Sequence, residues 1–236
     1  MAATTNLPAV ESRETIASTW HTVVLLLVVA ALSVVSSFSH GPSPIGFGHG
    51  KVGGYLSVMV AQWLIILFIW WGIRGRGLSL RDLAAGPWNR WTGPLRDLGI
   101  AIAFLIISAG VLAAASHLLH ANSGDLAARL APHTAPEIVA YLALCATAGF
   151  CEEIIFRGYL QRQLTAWTGS ATGGLLMQAI AFGAAHGYQG ARLMTVITVF
   201  GCLFGLLARW RRSLRPGMMA HFLQDALITV VKTLIG

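Results

Sequence analysis

Long uncharged runs of hydrophobic residues alternate with short polar segments along most of the chain. The longer runs hold about 20 residues, the length that an α-helix needs to cross the hydrocarbon core of a bilayer. Glycine, proline and charged residues separate the runs and mark the turns between helices. The pattern predicts membrane helices over residues 20–38, 52–73, 98–119, 136–166, 175–186, 193–208 and 216–234. We therefore expect an all-α polytopic membrane protein, a bundle of about seven transmembrane helices with a range of about six to eight.

The first run follows a short polar segment with both acidic and basic side chains, residues 1–19. The run 20–38 could be a signal peptide, but its apolar core is long and no small-x-small cleavage site follows it. We therefore expect a retained helix. Residues 1–19 are then a cytoplasmic N-terminal segment, and residues 20–236 form a single transmembrane helical domain whose motif-bearing core covers about 137–235.

The composition leaves little room for a soluble domain. Hydrophobic residues make up 56% of the chain and charged residues only 11%, with a mean hydropathy of +0.68. A soluble domain usually carries about 25% charged residues. The three cysteines lie in apolar runs without Cys-x-x-Cys spacing, so they predict neither a disulfide framework nor a thiolate metal site.

The net charge of +7 does not indicate a nucleic-acid partner, because the basic residues lie in loops between the apolar runs. Two loops, 74–96 and 209–215, are rich in arginine, and a short interfacial helix is predicted within the first, over 80–85. Basic loops favour the cytoplasmic side of a membrane. Seven spans then put 12 basic residues inside and four outside, with the N-terminus in the cytoplasm.

The ionisable side chains that lie clearly within the predicted spans are Glu152, Glu153, His186, His221 and Asp225. A charged group at the centre of a bilayer costs roughly 2.5–3.5 kcal/mol, so such residues usually serve a function. Glu153 lies four residues before Arg157 and can pair with it on one helical face, whereas Glu152 points about 100° away. We therefore expect Glu153 and Arg157 to form a structural ion pair and Glu152 to be free for chemistry.

The spacing of these groups predicts that they meet. Helices four and five form an antiparallel hairpin about Gly169, with Glu152 17 residues before this turn and His186 17 residues after it. At about 1.5 Å of rise per residue, both side chains reach the same depth. His221 and Asp225 are four residues apart and share one face of helix seven. We expect the four groups to meet in a water-filled cavity open to the cytoplasm.

Such a cluster can activate water. A carboxylate that faces a histidine can accept a proton from water, and a second histidine with its neighbouring acid can stabilise a developing oxyanion. The same residue types could hold a divalent metal such as Zn²⁺, with Glu152, His186 and His221 as ligands and Asp225 orienting His221. No His-Glu-x-x-His motif supports the metal, and no Gly-x-Ser-x-Gly motif supports a serine nucleophile.

Three short motifs carry a resemblance to a known family, and they read Glu152-Glu153-x-x-x-Arg157, Phe182-x-x-x-His186 and His221-x-x-x-Asp225. Together they resemble the signature of the CPBP family, which comprises type II (Ras-converting) CAAX prenyl proteases and bacteriocin-processing or immunity relatives, also called Abi proteins. The resemblance covers about 140–235 and implies that Glu152 and His186 activate water while His221 and Asp225 stabilise the oxyanion. The family often has Asn at the last position, where this chain has an Asp that donates a hydrogen bond only when protonated.

The resemblance implies a hydrolase, an intramembrane endopeptidase of the CAAX type that is commonly classed as a metalloprotease. Its implied partners are a peptide or lipidated protein substrate and membrane lipid, with no nucleic acid, and its implied location is a bacterial cell (inner) membrane. Phe182 is expected to pack beside the site. Two other functions stay open: a non-catalytic membrane interaction or bacteriocin-immunity protein on the same fold, and an ion-coupled transporter, which the lack of an internal repeat disfavours. The sequence leaves the substrate and the oligomeric state open.

Overall fold

The computed structural model describes all residues except 1–13, 39–49, 85–91, 123–127, 129 and 236, with the backbone alone described for 228–235. Within these residues the chain forms eight helices, besides one 3₁₀ turn, and no β-strand. The helices are α1 (Thr19–Phe38), α2 (Gly50–Arg74), α3 (Leu80–Ala84), α4 (Gly93–Leu118), α5 (Ala135–Thr168), α6 (Ala171–Ala184), α7 (Ala191–Arg211) and α8 (Arg215–Ile235).

Five of the described helices, α1, α2, α4, α5 and α7, are long and apolar enough to cross a membrane. The prediction of an all-α polytopic membrane protein is therefore confirmed. The fifth helix is shifted from the predicted range 175–186: α6 begins at Ala171 and ends at Ala184, so His186 lies in the turn that follows. Gly187 and Gly190 follow the end of this helix, and Gly190 adopts a φ of +84°, a backbone region that favours glycine.

Helix α5 carries the first motif and changes its helical form there. At its start, Glu137 accepts a hydrogen bond from the backbone N–H of Thr134 at 3.4 Å, which caps the first turn. The helix is α-helical over Ala135–Glu152, π-helical over Glu153–Leu160 and α-helical again over Gln161–Thr168. π-Helical turns occur frequently at functional sites, and this one begins directly after Glu152.

The two arginine-rich loops lie together at one end of the bundle, which we call the basic end. The backbone N–H of Leu214 donates to the carbonyl of Ala84 at 3.3 Å, joining the two loops directly. Near the start of α4, the buried Asp97 lies 3.5 Å from the guanidinium of Arg211 at the end of α7. The start of α4 and the end of α7 therefore both belong to the basic end.

The start of α1 and the end of α5 lie at the basic end as well. Arg162 of α5 donates to the backbone carbonyl of Asp82 in α3 at 3.3 Å. The neighbouring Gln163 accepts a hydrogen bond at 2.9 Å from the backbone N–H of Ile16, just before α1. The other ends of α1, α4, α5 and α7 therefore lie at the opposite end of the bundle.

The short interfacial helix predicted within the first loop is present as α3, which ends at Ala84, while residue 85 lies outside the described residues. Asp82 accepts hydrogen bonds from the side chain and the backbone N–H of Ser79, at 2.6 and 2.8 Å. These bonds favour the charged carboxylate and lower the pKa of Asp82 below its ordinary value.

Helices α5 and α8 approach closely beside the first motif. A methyl group added to Gly149 would lie 2.9 Å from the backbone oxygen of Met218 and 3.0 Å from the backbone nitrogen of Phe222. Backbone atoms cannot rotate away as side chains do, so this approach requires glycine. It brings the segment of α8 that carries His221 within reach of the two glutamates of α5.

Candidate active site

Glu153 and Arg157 form an ion pair inside the protein, in the π-helical part of α5. Nη1 of Arg157 lies 3.0 Å from Oε1 of Glu153, and both side chains are fully buried. The guanidinium also lies over two aromatic rings, 4.3 Å from the centre of Phe182 and 5.2 Å from the centre of Phe204. The pair that the helical spacing predicts is therefore present, and it is sealed from solvent on the aromatic side.

His221 lies between three carboxylates. Its Nδ1 is 3.3 Å from Oε1 of Glu153, and its Nε2 is 3.7 Å from Oε2 of Glu152. The same Nε2 lies 3.7 Å from Oδ2 of Asp225, one helical turn further along α8. The structure thus joins the first and third motifs through one imidazole, and it gives Glu153 a second partner that its spacing from Arg157 does not predict.

His186 lies in the turn after α6, with its ring fixed by the second motif. Nδ1 is 2.8 Å from the backbone carbonyl of Phe182. A carbonyl oxygen can only accept, so Nδ1 carries the proton, and in the neutral ring Nε2 is the free acceptor. Phe182 is buried, and its ring packs against His186 at 4.9 Å and Phe156 at 4.9 Å between ring centres. Phe182 therefore packs beside the site, as we expect from its position in the second motif.

One cavity of about 470 Å³ is lined by all four predicted catalytic residues, Glu152, His186, His221 and Asp225. A second cavity of about 130 Å³ lies between α1, α2 and α5 and has mostly apolar walls. The two cavities share part of their lining, including Glu152 and His186. The convergence that the spacing of the motifs predicts is therefore found in the structure.

The larger cavity extends away from the basic end. Its wall includes Ser116 in the last turn of α4, Leu130 just before α5 and Leu193 in the first turn of α7. All three positions belong to the opposite end of the bundle. An opening on the side of the arginine-rich loops, which the sequence predicts, stays a prediction, and the described lining lies toward the opposite end. The space between the helices stays open toward the opposite end, whereas buried side chains fill the bundle toward the basic end.

The candidate ligands do not form a metal site in this arrangement. In the part of the chain that the structure describes, no group of three or more His, Cys, Asp or Glu side chains is arranged to hold a metal ion. Oε1 of Glu152 accepts a hydrogen bond from Nε2 of Gln62 at 2.8 Å. Nε2 of His221 faces two carboxylates. The residues therefore do not fit Zn²⁺ as they stand, and a metal bound by Glu152, His186 and His221 stays a prediction.

Gln62 of α2 is a site residue that the motifs do not include. Its amide binds Glu152, and its side chain lines both cavities. Its Oε1 is buried without a hydrogen-bond partner among the described residues. The sequence contained one signal for this residue: Gln62 is a polar side chain inside an otherwise apolar span. Burying an amide without a hydrogen-bond partner costs free energy, so such a residue is expected to have a partner. Its proximity to Glu152 could not be inferred, since the two residues lie 90 positions apart.

Comparison with known proteins supports the resemblance drawn from the motifs. Residues 132–227 match the family model described as type II CAAX prenyl endopeptidase Rce1-like. The uncharacterized protein YpbD of Bacillus subtilis (strain 168) is 30% identical over 132 residues, which cover 54% of this chain and 64% of that protein. The chain thus spans less than two thirds of the length of this relative. No solved structure gives a significant match.

The matched segment contains all four predicted catalytic residues, whereas the parts of the larger cavity's wall that α2, α4 and Leu130 contribute lie outside it. It begins before α5 and ends just after Asp225, so it holds all three motifs and the walls that α5, α6, α7 and α8 give the larger cavity. The carboxyl-terminal part of this chain, residues 132–227, is thus similar to the Rce1-like family of type II CAAX prenyl endopeptidases.

Proposed function

We propose that the protein is an intramembrane endopeptidase that hydrolyses a peptide bond with water activated by Glu152 and His186. One observation carries the proposal: Glu152, His186, His221 and Asp225 line a single cavity and lie in a segment that matches the Rce1-like family model. The proposed substrate is a peptide or a lipidated protein at a membrane, and the proposed location is a bacterial cell membrane with the N-terminus in the cytoplasm.

The proposed base is the Glu152 carboxylate. Gln62 holds Oε1, which leaves Oε2 directed toward the cavity and His221. Water in the cavity gives one proton to Glu152 while its oxygen attacks the carbonyl carbon of the scissile bond, and Nε2 of His186 accepts the second hydrogen bond of the same water. The proton on Glu152 then passes to the leaving amine when the C–N bond breaks, so the carboxylate is regenerated.

His221 is the proposed donor to the oxyanion of the tetrahedral intermediate. Its ring is 3% exposed and fixed by carboxylates on both nitrogens. A ring with protons on both nitrogens donates from Nδ1 to Glu153 and from Nε2 to the oxyanion, in a site from which water is largely excluded. Asp225 orients the ring through Nε2 and does not itself need to donate.

The proposal is tested by cleavage of internally quenched peptides by the purified protein in detergent. We expect wild type to cleave, and His186→Ala to lower kcat by about 100-fold or more, since a positioned acid–base group contributes about 10²–10⁴ in rate. Because the described residues form no three-ligand site, activity is expected to persist in chelator. Loss on chelation with rescue by zinc would make these residues ligands instead. Failure to cleave any peptide would favour the non-catalytic interaction protein.

Removal of the Gln62 amide is expected to slow the chemical step without weakening substrate binding. We expect Gln62→Met to lower kcat roughly 10-fold, the size of one lost hydrogen bond to a charged group, with KM within about twofold because the amide binds Glu152 and not the substrate. The measurement is steady-state kinetics together with the melting temperature. Gln178→Met is the matched control, because Gln178 is buried, donates to the carbonyl of Gly201 at 3.0 Å and lines neither cavity. Equal losses in both variants would mean a structural role only.

A further inference from the structure

We propose that the catalytic cavity is entered from the non-cytoplasmic side of the membrane, so that the substrate is a neutral or basic peptide segment exposed outside the cytoplasm. The chemistry rests on the proposed function, but the direction of access rests on separate observations. The arginines lie at one end of the bundle, the cavity extends toward the other end, and a layer of buried side chains separates them.

The arginines identify the cytoplasmic side. Nine of them lie in the two loops, 74–96 and 209–215, which meet at the basic end through the hydrogen bond between Leu214 and Ala84. Short loops rich in Lys and Arg stay on the cytoplasmic side during membrane insertion. By sequence position, four basic residues, at 51, 129, 192 and 232, fall on the other side of the predicted spans. The basic end is therefore cytoplasmic, and the opposite end faces outward.

Both cavities extend from the middle of the bundle toward the opposite end. Ser116 lies two residues before the end of α4, and Leu193 lies two residues after the start of α7, so the wall of the larger cavity reaches the level of the outer helix ends. The smaller cavity follows the second half of α1, with Ser33 and Ser36 in its wall. Among the described residues, neither lining includes a member of the two arginine-rich loops.

A buried layer closes the path from the basic end. Phe204 is fully buried, and its ring lies 5.4 Å from that of His221, at the floor of the larger cavity. Glu153 and Arg157, both fully buried, occupy the same layer. Leu160, one turn further toward the basic end, is fully buried as well. A peptide from the cytoplasm would have to separate these packed side chains, whereas a peptide from outside meets an existing cavity.

The lining of the larger cavity selects the charge of the segment that enters. It contains Glu152 and Asp225 and, among the described residues, no Lys or Arg. Near the outer end the polar lining is uncharged, with Ser116, Tyr141 and Gln189. Even with His221 protonated on both nitrogens, the two carboxylates leave the lining with a net negative charge, which repels an acidic peptide. A neutral or basic peptide has no such penalty, and this fixes the class of substrate that we propose.

The direction of access is tested by cysteine labelling in cells that contain the full chain with its three native cysteines replaced by alanine. Ser116→Cys and, independently, Leu193→Cys report on the cavity, and Arg76→Cys in the first loop is the control. A membrane-impermeant maleimide is added to intact spheroplasts and to permeabilised ones. We expect the two cavity positions to react in intact spheroplasts and position 76 to react only after permeabilisation. The reverse pattern, or protection of both cavity positions in intact spheroplasts, overturns the proposal.

A second arm separates the direction of access from the activity. An impermeant quenched peptide with a net positive charge is added to sealed right-side-out vesicles, with Glu152→Gln vesicles as the blank. We expect cleavage outside the vesicles that depends on Glu152. Cleavage in detergent but not in sealed vesicles would overturn the access while leaving the hydrolase in place. The predicted labelling without cleavage in either preparation would leave the access in place and reject the proposed function.

Discussion

Replacing Glu152 by glutamine is expected to lower kcat for peptide cleavage by about 10²- to 10⁴-fold, the contribution of a positioned general base. The amide has nearly the same shape and can still accept the hydrogen bond from Gln62, so the fold should persist. What it cannot do is take a proton from water. The measurement is the rate of cleavage of a quenched peptide by purified variant and wild type, together with the melting temperature of each.

The matched control for this variant is Glu137→Gln, in the first turn of the same helix. Glu137 is partly exposed, accepts a hydrogen bond from the backbone N–H of His133 at 2.8 Å and lines neither cavity. The control is expected to retain activity within about twofold, because an amide oxygen can also accept at this cap. Full activity of Glu152→Gln with wild-type stability would reject Glu152 as the base and would favour a site retained for binding alone.

Breaking the buried ion pair of α5 from one side is expected to have the largest effect on stability. Arg157→Met leaves Glu153 buried with only His221 as a polar partner on Oε1, and loss of one member of a buried pair typically costs about 3–5 kcal/mol of the free energy of unfolding. The variant also loses the stacking of the guanidinium over Phe182 and Phe204. Denaturant unfolding in detergent, followed by intrinsic fluorescence, measures the change.

The double variant Glu153→Leu with Arg157→Met tests the reason for this loss. Two apolar side chains of similar volume leave no uncompensated charge, so stability is expected to recover to within about 1–2 kcal/mol of wild type. Activity should not recover, because His221 loses the carboxylate that holds its Nδ1. A double variant as unstable as Arg157→Met would show that shape and aromatic contacts, and not the buried charge, account for the stability of this layer.

The local part of the site was predictable because helical spacing fixes it. Residues four positions apart share a helical face, and the pairs Glu153 with Arg157 and His221 with Asp225 follow from that rule alone. The positions of the helices were predictable for a similar reason. An uncharged run long enough to span a bilayer has few alternatives to a helix there, since every backbone polar group must be bonded within its own segment.

The carboxyl-terminal end of α6 shows where this local reasoning fails. The apolar pattern continues to His186, but the helix ends at Ala184. Gly187 and Gly190 follow, and Gly190 adopts a positive φ that is not helical. His186 nevertheless reaches the cavity of Glu152, because the turn folds back against α1, where the N–H of Gly187 donates to Ser33 at 3.2 Å. Its depth was thus approximately right, although the regular helix assumed for it was not.

Hydrophobic length and helical periodicity act within single segments, so the amino-acid sequence was enough to predict the class of the protein, most of its helices and the residues of the candidate site. How those segments face one another depends on the packing between helices and is seen in the three-dimensional structure alone. The Gln62 amide reaches Glu152 from a different helix, and Gly149 lets α8 bring His221 between the carboxylates. The end of the bundle toward which the lining of the cavity extends has the same origin. It depends on which end of the bundle the large side chains such as Phe204 fill, and that is a property of packing between helices rather than of any one of them.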